Sequence, residues 1–92
     1  MLNFEWDENK AKQNISKHRV SFEEASTVFN DIYAKYDYDP DHSFEEERFI
    51  MVGYSYKNRL LFVSYTLRGE RIRIISSRIA TNQERKQYEI KK

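Results

Sequence analysis

Between Thr66 and Arg78 the chain carries four arginines, Arg68, Arg71, Arg73 and Arg78. A guanidinium stays charged and offers a planar fork that grips two phosphate oxygens at once, so such a cluster suits phosphate-bearing ligands. Arg71 and Arg73 are two residues apart and would share one face of a strand. Arg78 precedes Thr81, where a helix can begin, and a helix N-terminus also favours an anion. Groups able to move protons are sparser. Histidine changes charge near neutrality, which singles out Lys17-His18, with Glu84 and Tyr88 as further candidates. Each of these residues has a structural alternative. Arg71 and Arg73 could be a solvated strand face, Arg78 an ion pair with Glu84, Thr66 a plain strand former and His18 a packed helix end.

These side chains need a frame, and Arg59–Ala80 supplies its centre. Leu61, Val63 and Tyr65 alternate in one strand, Ile72 and Ile74 in the next. With Arg68-Gly69 as a two-residue loop, Leu67 pairs with Glu70 and the register follows by counting. Thr66 then faces Arg71, Ser64 faces Arg73 and Phe62 faces Ile75 on a mixed polar surface. Tyr65 faces Ile72 and Val63 faces Ile74 on an aliphatic one. Ile50, Val52 and Tyr54 form the preceding strand. With Lys57-Asn58 as its turn, they join Tyr65, Val63 and Leu61 on the aliphatic surface.

The N-terminal third supplies cover for that surface. Leu2–Trp6 alternates as a short strand. Asp7 is placed to cap a helix, with Trp6 and Ala11 as a hydrophobic staple. Ala11, Ile15 and His18 share a face of that helix. Ser21-Phe22-Glu23-Glu24 is a capping box opening a second helix, whose stripe is Phe22, Ala25, Val28, Phe29 and Ile32. From Asn30 to Glu47 tyrosines and aspartates surround Pro40 and read as a surface loop. Asp37, Asp39 and Asp41 lack the glycine and distal glutamate of a calcium loop. Thr81-Asn82-Gln83-Glu84 is another capping box, opening a terminal helix with little beyond Tyr88 and Ile90 to bury. That helix is expected to dock weakly and to need a partner.

Ninety-two residues make a single domain, residues 1–92, of order β-α-α-β-β-β-α, an α+β fold on an antiparallel sheet. The absence of cysteine excludes disulfides and thiolate metal sites. No secretory pattern or membrane-length apolar run is present, so a cytoplasmic protein without membrane or cofactor is expected. The net charge of +1 hides a division. Residues 1–47 hold 5 Lys/Arg against 12 Asp/Glu, and residues 48–92 hold 11 against 3. The two halves either neutralise each other or set a polyanion-binding face beside an acidic region.

Several separated segments also resemble one family. Phe4-Glu5-Trp6-Asp7-Glu8-Asn9-Lys10, Lys17-His18, Phe22-Glu23-Glu24-Ala25, Glu46-Glu47-Arg48, Arg59-Leu60-Leu61-Phe62-Val63, Arg71–Arg78, Ala80-Thr81 and Glu84-Arg85 together look like the BrnT toxins, in order and across nearly the whole chain. The resemblance implies a RelE-like ribonuclease toxin of a type II toxin–antitoxin pair. It implies a BrnA-like ribbon-helix-helix antitoxin through which the pair reaches operator DNA. The family pattern carries over to Lys17, His18, Thr66, Arg68 and Arg78 as catalytic residues; the strand register, not the resemblance, adds Arg71 and Arg73 on the polar face as RNA-binding residues. Such cleavage uses the 2′-hydroxyl as nucleophile and needs no metal; the protein supplies an acid, a base and cations around the phosphorane. A noncatalytic module serving as corepressor of a DNA-binding partner is the alternative. One departure is local: the family has glycine after Lys17-His18, and this chain has Arg19. Arginine there either takes the left-handed conformation at about 1 kcal/mol or changes the turn.

Overall fold

A computed structural model describes residues 2–42 and 46–90. Strand β1 (Asn3–Glu5) leads into helices α1 (Glu8–His18) and α2 (Phe22–Thr27), followed by a 3-10 turn, Val28–Asn30. Strands β2 (Lys35–Tyr38), β3 (Phe49–Tyr54), β4 (Leu60–Arg68) and β5 (Arg71–Ile79) precede helix α3 (Asn82–Ile90). The α+β class and the order of elements are as the sequence predicts, with one strand more. Within the segment expected to be loop, Lys35–Tyr38 pairs antiparallel with β3 as an edge strand, while Ser43–Glu45 lie outside the described residues. The sheet order is β1-β5-β4-β3-β2. It is mixed rather than wholly antiparallel, because β1 joins β5 in parallel.

Both hairpins differ from the predicted register, with different consequences. In β4–β5, Arg68 pairs with Arg71, so Gly69-Glu70 is the loop and Gly69 takes φ +60° at its first position. A two-residue turn of this kind demands glycine there. The slip is even, so faces are preserved: Tyr65 meets Ile74 and Thr66 meets Arg73. A bulge opposite Ser64/Tyr65 then shifts the ladder by one residue and brings Arg78 opposite Phe62, where Ile75 was expected. In β3–β4 the slip is odd. Ser55 and Arg59 close the turn with Asn58 left-handed at φ 60°, which makes the loop three residues long. Ile50, Val52 and Tyr54 therefore face the polar side, and Phe49, Met51 and Gly53 lie under the helices. Gly53 explains the choice. A Cβ there would stand 2.9 Å from Val28 Cγ1 and from Ala34 Cβ, so only glycine passes beneath the 3-10 turn.

The main core joins Ala11, Val20, Phe22, Ala25 and Val28 to Leu61, Val63 and Ile74, with Trp6 edge-on to Phe22 and Phe29 edge-on to Tyr65. Two predicted core positions are surface instead: Ile15 is half exposed and Ile32 almost fully so. The buried residue on that side of α1 is Asn14. Its amide nitrogen donates to Ser77 O at 2.8 Å and Val20 O at 2.9 Å, and its oxygen accepts from Ser77 N. Among the described residues no strand covers the outer edge of β5 beyond Arg73, and Asn14 completes it as a strand would. Arg19 does take the left-handed form, φ 60°, with its N–H on Ile15 O.

Asp7 and Ser21 cap their helices as predicted, accepting from Lys10 N and Glu24 N at 3.0 Å each. Glu24 does not reach back to complete its box. Its buried carboxylate is forked by Arg59 and accepts from Ser55 Oγ at 2.7 Å. Arg59 also donates to Arg19 O at 3.0 Å, tying the ends of α1 and α2 to the β3–β4 turn. Helix α3 is firmly docked, contrary to expectation. Tyr88 is 2% exposed, packs edge-on to Tyr54 and donates to Asp31 Oδ2 at 2.7 Å. With Leu60 and Ala80 it builds a second small core on the other sheet face. Ile90 stays exposed.

Replacing Asn14 by alanine strands the Ser77 N–H and C=O and the Val20 C=O; we expect a loss of about 3 kcal/mol in urea denaturation. Glu24 supplies a pH test. Arg59 holds its carboxyl below the ordinary value of 4.5. A depressed carboxyl stabilises the fold above its unfolded pKa, and the contribution fades as pH falls through the folded one. Glu24→Gln should therefore cost about 2 kcal/mol at pH 7, since Arg59 is partly solvated. The gap from wild type should close as pH is lowered below about 4.5.

Candidate functional site

The polar sheet face is ordered in cross-strand rows. Arg73 stands beside Thr66, Ser76 beside Ser64 and Ile50, and Arg78 beside Phe62 and Val52. All the arginines predicted on this face are on it, but not together. Phe62, opposite Arg78, is six residues from Arg68 along β4, or about 20 Å. Arg68 and Arg71 flank the hairpin mouth, exposed, with Glu46 3.5 Å from Arg68 and Glu5 3.9 Å from Arg71.

What converges is the middle of β5. The bulge after Ile74 exposes an irregular stretch, Ile75-Ser76, beside the C-terminal turn of α1. Lys17, His18, Lys10 and Gln13 meet Ile75 and Ser76 around an open cleft of about 250 Å³. His18 is half buried and Lys17 exposed. Asn14 fixes this approach, because its bonds to Ser77 seat α1 one residue beyond the bulge. Arg73 and Arg78 bracket the same stretch on the polar face, each about two strand repeats from the other's row. The cleft therefore brings together an imidazole, two lysines and a serine, while the guanidiniums of Arg73 and Arg78 are held by Glu5 and Glu84.

Arg78 is held from three directions. Glu84 accepts in bidentate fashion at 2.8 and 2.9 Å, Ile79 O accepts at 3.2 Å, and the guanidinium lies 4.1 Å over the Phe62 ring. Glu84 also completes its capping box, accepting from Thr81 N at 2.9 Å. Arg78 draws the Glu84 carboxyl below its ordinary range, and Glu84 raises the Arg78 guanidinium. Glu84 is thus an ionised clamp and a poor proton donor. Arg73 donates to Glu5 Oε2 at 2.8 Å. Thr66 is buried, its hydroxyl donating to Glu47 O. Tyr88, the remaining proton-transfer candidate, is committed to Asp31, and burial pushes its hydroxyl far above the ordinary range.

Sequence reasoning missed Asn14 and Ser76 as parts of this arrangement; it set Phe62 on the polar face but opposite Ile75 in place of Arg78. Asn14 had a signal, an amide on the inward side of α1 where periodicity asks for an apolar residue. The bulge that recruits Ser76 and Phe62 had none. Among the described residues no helix is long and apolar enough to cross a membrane, and no three histidine or carboxylate side chains converge on a point that could hold a metal ion.

Comparison with known proteins gives a family. No curated protein matches the chain. The fold is similar to the crystal structure of the Brucella abortus ribonuclease toxin BrnT, at a TM-score of 0.66 and 24% identity, covering 89% of this chain and all of that one. The model of a family described as the ribonuclease toxin, BrnT, of type II toxin–antitoxin systems matches residues 6–84. With most of its length inside that match, the chain belongs to the BrnT family of ribonuclease toxins.

Proposed function

We propose that this chain cleaves RNA at the β5 bulge without a metal ion and is neutralised by a BrnA-like antitoxin. The observation that carries the reading is the meeting of Lys17 and His18 with Ser76, bracketed by Arg73 and Arg78. In the reaction a base takes the proton of the RNA 2′-hydroxyl, the 2′-oxygen bonds to phosphorus, and the P–O5′ bond breaks as an acid protonates the 5′-oxygen. His18 and Lys17 are the groups in the cleft suited to those proton transfers. Arg78 stabilises the charge of the phosphorane, and its clamp by Glu84 and Phe62 fixes its fork in advance. Arg73, Arg71 and Arg68 line the RNA path towards the hairpin mouth. Thr66 acts through position, keeping the strand pair that carries Arg73 in register with the start of β3.

The carboxylates beside Arg68, Arg71, Arg73 and Arg78 favour the second reading, a noncatalytic corepressor in which these pairs are structural. Growth arrest with RNA loss on induction of the chain alone separates the two.

Cleavage should persist in excess EDTA. Arg78→Ala should lower the rate about 10²–10³-fold, by analogy with loss of one oxyanion donor. Arg78→Lys should recover part of this, having the charge without the fork. Circular dichroism checks that both variants fold, and full activity in a folded Arg78→Ala would move the phosphate role to Arg73 and Arg68. Type II pairs work by direct complex formation, so a BrnA-like ribbon-helix-helix antitoxin at saturation should abolish cleavage. The pair, and not the toxin alone, should bind operator DNA in a mobility-shift assay.

A further inference from the structure

The row through Arg78 does not stop at Phe62. Phe62 pairs with Val52 and Val52 with Lys35, so one line of side chains crosses four strands from Arg78 to Lys35. At its far end Lys35, Tyr36, Asp37, Ile50 and Val52 meet Gln87 of α3 around a cleft of about 400 Å³. The Lys35 ammonium is shielded from solvent and has no hydrogen-bond partner among the described residues. Asp37, two residues on, turns its carboxylate to the Tyr38 N–H at 2.8 Å instead. A shielded ammonium without an acceptor is costly, and a fold that keeps one gains by giving it an anion.

We infer that Lys35 is a phosphate subsite for the RNA backbone, at the opposite end of the row from Arg78. The inference rests on the ribonuclease reading and extends it. Three interstrand steps separate the two backbone positions, about 14 Å, and the Arg78 guanidinium reaches along the row to lie over Phe62. A single strand bound at Arg78 reaches Lys35 along this row, whose middle is closed by the protein itself: Phe62 lies under the Arg78 guanidinium and Val52 packs against Leu60, Ala80 and Tyr88. The two ends of the row are the places that suit phosphates. Lys35 belongs to the path and not to the reacting phosphate, so it acts on binding and leaves the chemical step alone.

The test uses the full chain and a short RNA made uncleavable by 2′-O-methylation, with affinity measured against salt. Lys35→Met should weaken binding about tenfold. It should also flatten the slope of log K against log salt by about 0.7, the share of one single-strand phosphate. Lys35→Arg should keep the slope. On cleavable RNA, Lys35→Met should raise KM and leave kcat unchanged. Its Tm should not fall, because no intramolecular partner is lost. An unchanged salt slope in Lys35→Met, or a lowered Tm, overturns the subsite while leaving the ribonuclease reading intact. Failure of the wild type to bind RNA overturns both.

Discussion

The side chain of Asn14 is the hinge between fold and site. Past Arg73 no strand among the described residues neighbours the outer edge of β5, and a buried edge with unpaired N–H and C=O groups is not tolerated. One amide meets both groups of Ser77 and adds the Val20 carbonyl, which pins the end of α1 beside the sheet. Everything that gives the β5 bulge its chemical surroundings follows from that seat. Without it, Lys17 and His18 would sit on a helix end with no defined relation to the arginines. A second strand in the same position would have satisfied the edge equally well and covered the cleft.

The buried Glu24–Arg59 pair acts in parallel at the same C-terminal end of α1, where it meets the start of α2. Isolated buried ions are expensive, and this pair persists because Ser55 and the Arg19 carbonyl share its hydrogen bonds. Its guanidinium also explains why Arg19 holds a conformation that glycine adopts at lower cost. The carbonyl that Arg59 grips belongs to that residue, so the left-handed turn is fixed from both sides. The polar face shows the same economy. Glu84 caps α3 and clamps Arg78 with one carboxylate.

Local patterns were legible where a single residue decides the outcome. Asp7, Ser21 and Thr81 cap their helices, and the alternation of Leu61, Val63 and Tyr65 identifies a buried face. Register was less so. In β4–β5 the turn moved by one residue and the pairing by two, an even step, so the arginines kept their side. In β3–β4 the odd step reversed Ile50, Val52 and Tyr54. The deciding feature there, Gly53 beneath Val28, depends on a contact with a distant segment. Strand β2 had a period-two signal in Lys35, Tyr36, Asp37 and Tyr38, masked by its charge, which is how an exposed edge strand protects itself. Of the site, residue types were readable and distances were not. The bulge that aligns Arg78 with Phe62 has no local signature in the sequence.

The parallel pairing of β1 with β5 bears on the time course of synthesis. Asn3 aligns with Arg71, and Asn14 bonds a residue 63 positions later. Neither contact exists until β5 has left the ribosome. Such long-range closure slows folding relative to a protein of local contacts. The β3–β4–β5 meander has its partners close in sequence, whereas β1 and α1, made first, wait for theirs. The cleft at the bulge joins these two groups, so a nascent chain truncated before β5 lacks it altogether. A chain built in this way cannot assemble that cleft while its own message is still being read through the first three strands.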